Sequence, residues 1–273
     1  MRWKRNLAVL LMGACLAAGL QARPATAIVG GGEANPLSHQ FMAGLVDTQH
    51  RVFCGATLIS PRYVVTAAHC LQGRQAQSLR VLLGDHDISK AMENPYTKLV
   101  PVNYIRVHEN YNHYTQDADI ALVRLAVPVE RSGGIREAYL PWQHAPGAFD
   151  NVRVTAMGWG SQSLGGPASS VLQSVGLDTM TNAECVSRGM EDITSGSICT
   201  HTPGRDTCVF DSGGPVTYDA GYPVLIGVIS YGRGCATDSP SVSTRVSSYL
   251  QWIVQNTPDA VYETSGTWPA SRR

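Results

Sequence analysis

The chain has 273 residues, with 21 basic and 21 acidic side chains, a formal net charge of zero and 44% hydrophobic residues. Its 27 Gly and 15 Pro fall well short of a low-complexity or collagen-like composition, and a charged fraction of 15% offers no basic surface for nucleic acid. The length suits one large domain or two small ones with ample core.

The first segment reads as a secretory signal peptide over residues 1–27. Arg2, Lys4 and Arg5 form a basic start, Leu7 to Leu20 is apolar, and Ala25 and Ala27 complete an A-x-A cleavage pattern. The apolar run is too short for a typical membrane span, and no later run is long enough. The sequence therefore predicts a secreted, extracellular chain with no membrane attachment after cleavage. Loss of Arg2, Lys4, Arg5 and Arg23 leaves 17 basic residues (21 − 4) against 21 acidic ones, a net of −4.

From Ile28 onward the texture is β. Short runs rich in Val, Ile, Leu and Thr lie at Val52 to Ser60, Tyr63 to Ala67, Arg80 to Leu83, Lys98 to Val102, Ile120 to Leu125, Val152 to Met157 and Val224 to Ser230. Gly, Pro, Asn and Asp clusters separate them, which predicts an all-β sandwich or barrel. Pro141 and Pro146 mark a switch between two β-rich halves near 140–147. Val246, Tyr249, Leu250, Ile253 and Val254 keep helical spacing, so a C-terminal helix is expected, stopped by Thr257-Pro258. Residues 257–273 show no periodicity and read as a mobile tail.

Setting aside Cys15 of the signal leaves Cys54, Cys70, Cys185, Cys199, Cys208 and Cys235. An even set in an exported chain predicts three disulfides, in any of 15 pairings. Zinc fits poorly, because these cysteines are widely spaced and form no C-x-x-C pair. His108-Glu109-Asn110-Tyr111-Asn112-His113 suggests a zinc helix at first sight, but its histidines are spaced i, i+5 and not i, i+4.

Three motifs carry chemistry: Thr66-Ala67-Ala68-His69-Cys70, Asp119-Ile120-Ala121-Leu122 and Asp211-Ser212-Gly213-Gly214-Pro215. Each alone has a structural reading, as a lone histidine, a strand-opening acid or a tight turn. Together they supply what a serine nucleophile needs: an imidazole to take its proton and a carboxylate to hold that imidazole. With these motifs in this order, the chain from Ile28 to Asn256 closely resembles the chymotrypsin/trypsin family of secreted serine endopeptidases.

The resemblance implies two packed six-stranded antiparallel β-barrels with a C-terminal α-helix, spanning residues 28–256. It implies His69 as general base and acid, Asp119 as its orienting partner (with Asp117 a nearby competitor) and Ser212 as nucleophile. The N–H groups of Phe210 and Ser212 would form the oxyanion hole. Ile28, in Ile28-Val29-Gly30-Gly31, would be the mature N-terminus, its ammonium paired with Asp211. The family pattern pairs Cys54 with Cys70, Cys185 with Cys199, and Cys208 with Cys235. Ser230-Tyr231-Gly232 resembles the strand that binds substrate backbone, and Asp206 the pocket floor that favours Arg or Lys. Cofactors and metals are not expected, although the acids from Asp85 to Glu93 lie where some members hold calcium. The partners implied are protein or peptide substrates and protein inhibitors, acting on a monomer.

Four departures matter. Phe210 stands where most relatives have Gly, at an oxyanion donor. Its bulk would crowd the leaving-group side and weaken protein inhibitors, and a flipped peptide there would give a catalytically impaired, binding-only homologue. Ser241 occupies a pocket-wall position where Gly is usual and would narrow the slot over Asp206. Ala27, not Arg or Lys, precedes Ile28, so signal cleavage would release an active enzyme directly, unless a cut after Ala22 leaves the propeptide 23–27. Several family disulfides are absent, and no cysteine tethers a propeptide.

Overall fold

A computed structural model describes residues 28–142, 147–161 and 163–262. The expected signal peptide 1–27, and residues 263–273 of the expected tail, lie outside the described residues.

The first half builds β1 (Gly32–Glu33), β2 (Met42–Val46), β3 (Val52–Ser60), β4 (Tyr63–Thr66), β5 (Arg80–Leu83), β6 (Lys98–Val107) and β7 (Ala121–Leu125). Strands β2 to β7 close into an antiparallel barrel in the order β2-β3-β4-β7-β6-β5. Small and β-branched residues fill it: Ala43, Leu45, Ala56, Leu58, Val64, Val81, Leu83 and Val123 are all fully buried. The second half builds β8 (Arg153–Gly158), β9 (Gln173–Met180), β10 (Ser197–Thr200), β11 (Pro215–Asp219), β12 (Pro223–Gly232) and β13 (Ser241–Arg245). The order β9-β10-β13-β12-β11-β8, with β8 pairing back to β9, makes a second closed six-stranded barrel, and β1 adds to the free side of β9. The expected chymotrypsin-like all-β architecture is the one found.

Among the strands absent from the sequence reading, β2 is a short, wholly buried run of five residues, and β9 has mixed faces. β9 carries Gln173, Ser174, Gly176 and Asp178 between its apolar residues, so ladder hydrogen bonds define it more than composition does. β6 runs past its expected end at Val102 to Val107. It pairs with β7 through Ile105↔Val123 and Val107↔Ala121 after a register shift near Val102, although its outer residues are polar. A short helix, α1 (Asn182–Ser187), begins where the Thr181 side chain accepts the Glu184 N–H. Three disulfides join Cys54–Cys70, Cys185–Cys199 and Cys208–Cys235.

The C-terminal helix divides into a 3-10 turn (Val246–Tyr249) and α2 (Leu250–Gln255). Val246 and Ile253 are buried and Tyr249 and Leu250 pack on the first core, while Val254 is exposed. The segment read as a mobile tail begins with an anchored stretch. Asp259 accepts from Tyr63 Oη at 2.5 Å and from Arg124 Nη2 at 2.7 Å, and Tyr262 meets Trp142 edge-on. Periodicity could not signal this, because the anchor is a polar contact with strands far earlier in the chain. Removing the carboxylate by Asp259→Ala should cost about 1–2 kcal/mol, discounted for its partial exposure. Thermal unfolding should show this as a Tm lower by roughly 2–8 °C; an unchanged Tm would mean that the segment rests on the barrel without holding it.

Candidate active site

His69 and Asp119 enter from the first barrel. His69 lies just past β4, and Asp119 precedes β7, whose pairing with β4 brings the two loops together. His69 Nδ1 lies 2.7 Å from Asp119 Oδ2, and the His69 backbone N–H donates to Oδ1 at 2.9 Å. Asp119 is fully buried. The second barrel completes its shell: Ser230 Oγ donates to Oδ2 at 2.5 Å, and Thr244 Oγ1 donates to the Asp119 carbonyl at 2.7 Å. Ser230 sits at a register shift of β12 between Ile229 and Tyr231. Such a bulge re-aims a side chain, here toward the buried acid. Asp117, the competing acid, accepts instead from Thr194 Oγ1 at 2.8 Å.

Ser212 lies on a turn of the second barrel that presses against the first. Its carbonyl accepts the Gly55 N–H at 2.8 Å. Cys70 Sγ lies 3.7 Å from that carbonyl and 3.7 Å from His69 Nε2, so serine and imidazole flank one sulfur. The approach needs Gly213: its φ is +78°, and a Cβ there would lie 2.2 Å from Thr66 Oγ1. Among the described residues the Ser212 hydroxyl makes no hydrogen bond to His69. Nucleophile–base contacts are often loose in unliganded sites.

Phe210 has φ +75° and an exposed side chain. The backbone therefore takes a left-handed conformation that glycine normally supplies, and the ring turns outward. Among the described residues neither the Phe210 N–H nor the Ser212 N–H finds an acceptor within the chain, so both donors are free.

Asp211, between them, is fully buried. It accepts N–H groups from Gly160 and Cys208, each at 2.8 Å. A Cβ at Gly160 would lie 2.3 Å from its carboxyl carbon, so the missing side chain makes room for the acid. Burial, aided by the charge of Asp206 and opposed by those two bonds, pushes the Asp211 carboxyl up to about 7. Ile28 is also fully buried, and Val29 O accepts the Asp206 N–H at 3.1 Å. The start of the described chain is therefore packed into the core of the second barrel and paired with Asp206.

Asp206 is buried, at 5% exposure. Its Oδ1 accepts from Thr207 N–H at 2.8 Å, and its Oδ2 from Ala236 N–H at 3.0 Å and Ser241 Oγ at 2.9 Å. Burial raises its carboxyl above the usual carboxylate range. The contact with Ser241 was not foreseeable from local sequence, since the two residues stand 35 positions apart. Beyond His69 a cleft of about 410 Å³ opens along Ser230 and Tyr231, walled by Tyr114, Glu191 and Arg233. Arg233 Nη2 and Glu191 Oε2 face each other there at 3.5 Å.

Among the described residues one group gathers metal-type donors, Cys54, His69 and Cys70. Its sulfurs are joined in a disulfide, so no thiolate remains to bind a metal. In the His108–His113 stretch, Glu109 accepts from Arg106 and from Trp252 Nε1, and His108 packs on Tyr249 and Trp252. No helix among the described residues is long and apolar enough to cross a membrane.

Comparison with known proteins gives the same direction throughout. A family model described as Trypsin matches residues 28–253. A trypsin of Phaedon cochleariae is 35% identical over 92% of this chain and 98% of its own length. Brachyurin of Leptuca pugilator is 39% identical over 84% of this chain and 98% of its own. Venom serine protease 34 of Apis mellifera is 37% identical over 86% of this chain, which spans only 60% of that longer protein. With the family match covering most of its length and a double-barrel fold, this chain belongs to the chymotrypsin/trypsin family of serine endopeptidases.

Proposed function

We propose that the protein is a secreted endopeptidase that cuts after Arg or Lys by a Ser212–His69–Asp119 triad. The observation that carries this reading is the buried Asp119 carboxylate, held at once by the His69 ring, the His69 backbone and Ser230. A carboxylate so fixed holds the proton on Nδ1 and leaves Nε2 to act as base. The mechanism is the established one of the family. Ser212 Oγ attacks the scissile carbonyl while His69 Nε2 takes its proton. The tetrahedral oxygen is received by the free N–H groups of Phe210 and Ser212. His69 then protonates the departing amine, leaving an acyl-enzyme, and water repeats the sequence in reverse. Asp119 holds the imidazolium in place through the Nδ1 hydrogen bond.

Ser212→Ala should abolish covalent labelling by a fluorophosphonate and remove peptide hydrolysis. Asp119→Asn should lower kcat by about 10⁴-fold, the family's known cost for the wrong tautomer. A folded wild-type chain that neither labels nor cleaves would favour the binding-only alternative, whose physical basis is the strain of a Phe at φ +75°.

The outward Phe210 ring stands on the leaving-group side of the cleft and should obstruct rigid protein inhibitors that fill that side. A Kunitz-type inhibitor is expected to bind weakly to the wild type and about tenfold or more tightly to Phe210→Gly. Equal, tight inhibition of both would refute the obstruction.

The activation pair is tested by pH. Unfolded, Asp211 gives up its proton near 3.8; folded and without a cationic partner, only near 7. An acid whose folded pKa is raised costs stability as pH climbs through that window. Cleavage before Ile28 would supply an ammonium to pair with it and cancel the loss. Urea unfolding of Ser212→Ala chains between pH 4 and 8 should therefore show a steeper decline for the uncut form than for a chain beginning at Ile28. Equal pH slopes would exclude the pairing, and mass analysis of the secreted N-terminus would show whether it starts at Ile28 or at Arg23.

A further inference from the structure

The floor of the side-chain slot distinguishes between its two cations, an inference that rests on the reading of Asp206 as that floor. A carboxylate offers about four lone-pair sites. On Asp206, Oδ2 already receives Ala236 N–H at 3.0 Å and Ser241 Oγ at 2.9 Å, and Oδ1 receives Thr207 N–H at 2.8 Å. One site on one oxygen remains. A guanidinium binds a carboxylate best as a fork, with parallel N–H bonds to both oxygens. Here the fork is blocked unless Ser241 breaks its bond and turns away.

An ammonium has no such requirement. Its three donors are arranged around a point and need no coplanar partner. It can give one bond to the open site on Oδ1 and another to Ser241 Oγ, whose lone pairs stay available while its proton is held by Asp206. Ser241 then serves as a relay between the ammonium and the carboxylate. The shape of the slot acts in the same direction. Ser241 Oγ lies against the strand that forms the slot wall, where a Cβ on Gly232 would be only 2.8 Å from it. The floor is therefore raised, and the side chain of Lys, which reaches its charge one bond sooner than Arg, suits a shallower slot.

We propose that Ser241 is a specificity-determining residue that makes this protease prefer Lys to Arg immediately before the cut. The test uses the mature chain and paired peptide substrates that differ only in Lys or Arg at that position. The wild type should show kcat/KM about tenfold or more higher for Lys. Ser241→Gly, which frees Oδ2 and lowers the floor, should bring Arg level with Lys or above it. Ser241→Ala keeps the bulk of Cβ but loses the relay, and should fall between them. The ratio of two substrates on one enzyme sample is independent of how much of it is folded, so a poorly folding variant still gives a reading. Should Ser241→Gly yield no enzyme, the Ala variant alone carries the test. Arg equal to or better than Lys in the wild type, or a ratio unmoved by either substitution, would overturn the role of Ser241 and leave Asp206 as a cation site. Cleavage after neither cation would overturn the Asp206 reading, and this inference with it.

Discussion

Asp119 is the constraint from which the site is assembled. A carboxylate taken out of water is costly unless its oxygens are satisfied. No single element of this fold satisfies them. The His69 ring and backbone approach the carboxylate from the first barrel and Ser230 from β12 of the second, while Thr244 of β13 bonds the Asp119 backbone carbonyl. The two barrels must therefore dock in one register for the acid to be tolerated. That same register sets the Ser212 carbonyl on Gly55 and its residue beside His69. The stability requirement of one buried acid and the geometric requirement of the proposed reaction are met by the same docking of the two barrels.

A second buried acid makes the opposite arrangement. Asp211 has two backbone donors and, among the described residues, no cationic partner, and Asp206 adds a like charge nearby. Asp119 is held by side chains of both barrels, whereas the partners of Asp211 are backbone N–H groups, and the chain start hydrogen-bonds through Val29 to Asp206, whose charge reaches Asp211. The apolar Ile28 side chain is fully buried in the core of the second barrel.

Much of the fold was legible in the sequence where a strand is buried on one or both faces. β3 and β5 coincide with their apolar runs, because Ser60-Pro61 and Gly84 end them sharply. β9 was not legible: Gln173 and Thr179 are buried polar residues and Asp178 faces out, so period and composition conflict. The site divides in the same way. His69, Asp119 and Ser212 stand in motifs readable over four or five residues. The Ser230–Asp119 bond joins residues 111 positions apart through a bulge, and the Asp259 anchor joins residues 196 positions from Tyr63; neither leaves a local trace. Position in sequence identified Ser241 as unusual, but only the fold shows its hydroxyl turned onto Asp206.

Phe210 shows why a departure can be tolerated at such a point. A non-glycine residue at φ +75° carries a cost of order 1–3 kcal/mol and persists only where neighbours over-determine it. They do so here. The Cys208–Cys235 disulfide fixes one end of the turn, and Asp211 draws in the N–H groups of Cys208 and Gly160. Asp211 N–H returns to the Cys208 carbonyl, and Gly214 N–H to that of Asp211. The peptide plane at 210 is thus set by bonds on either side of it, none of which involves the residue's own side chain. The orientation of the 210 and 212 N–H groups, proposed above as the oxyanion donors, is consequently a property of the frame, and the exposed side chain of residue 210 is free to act outward.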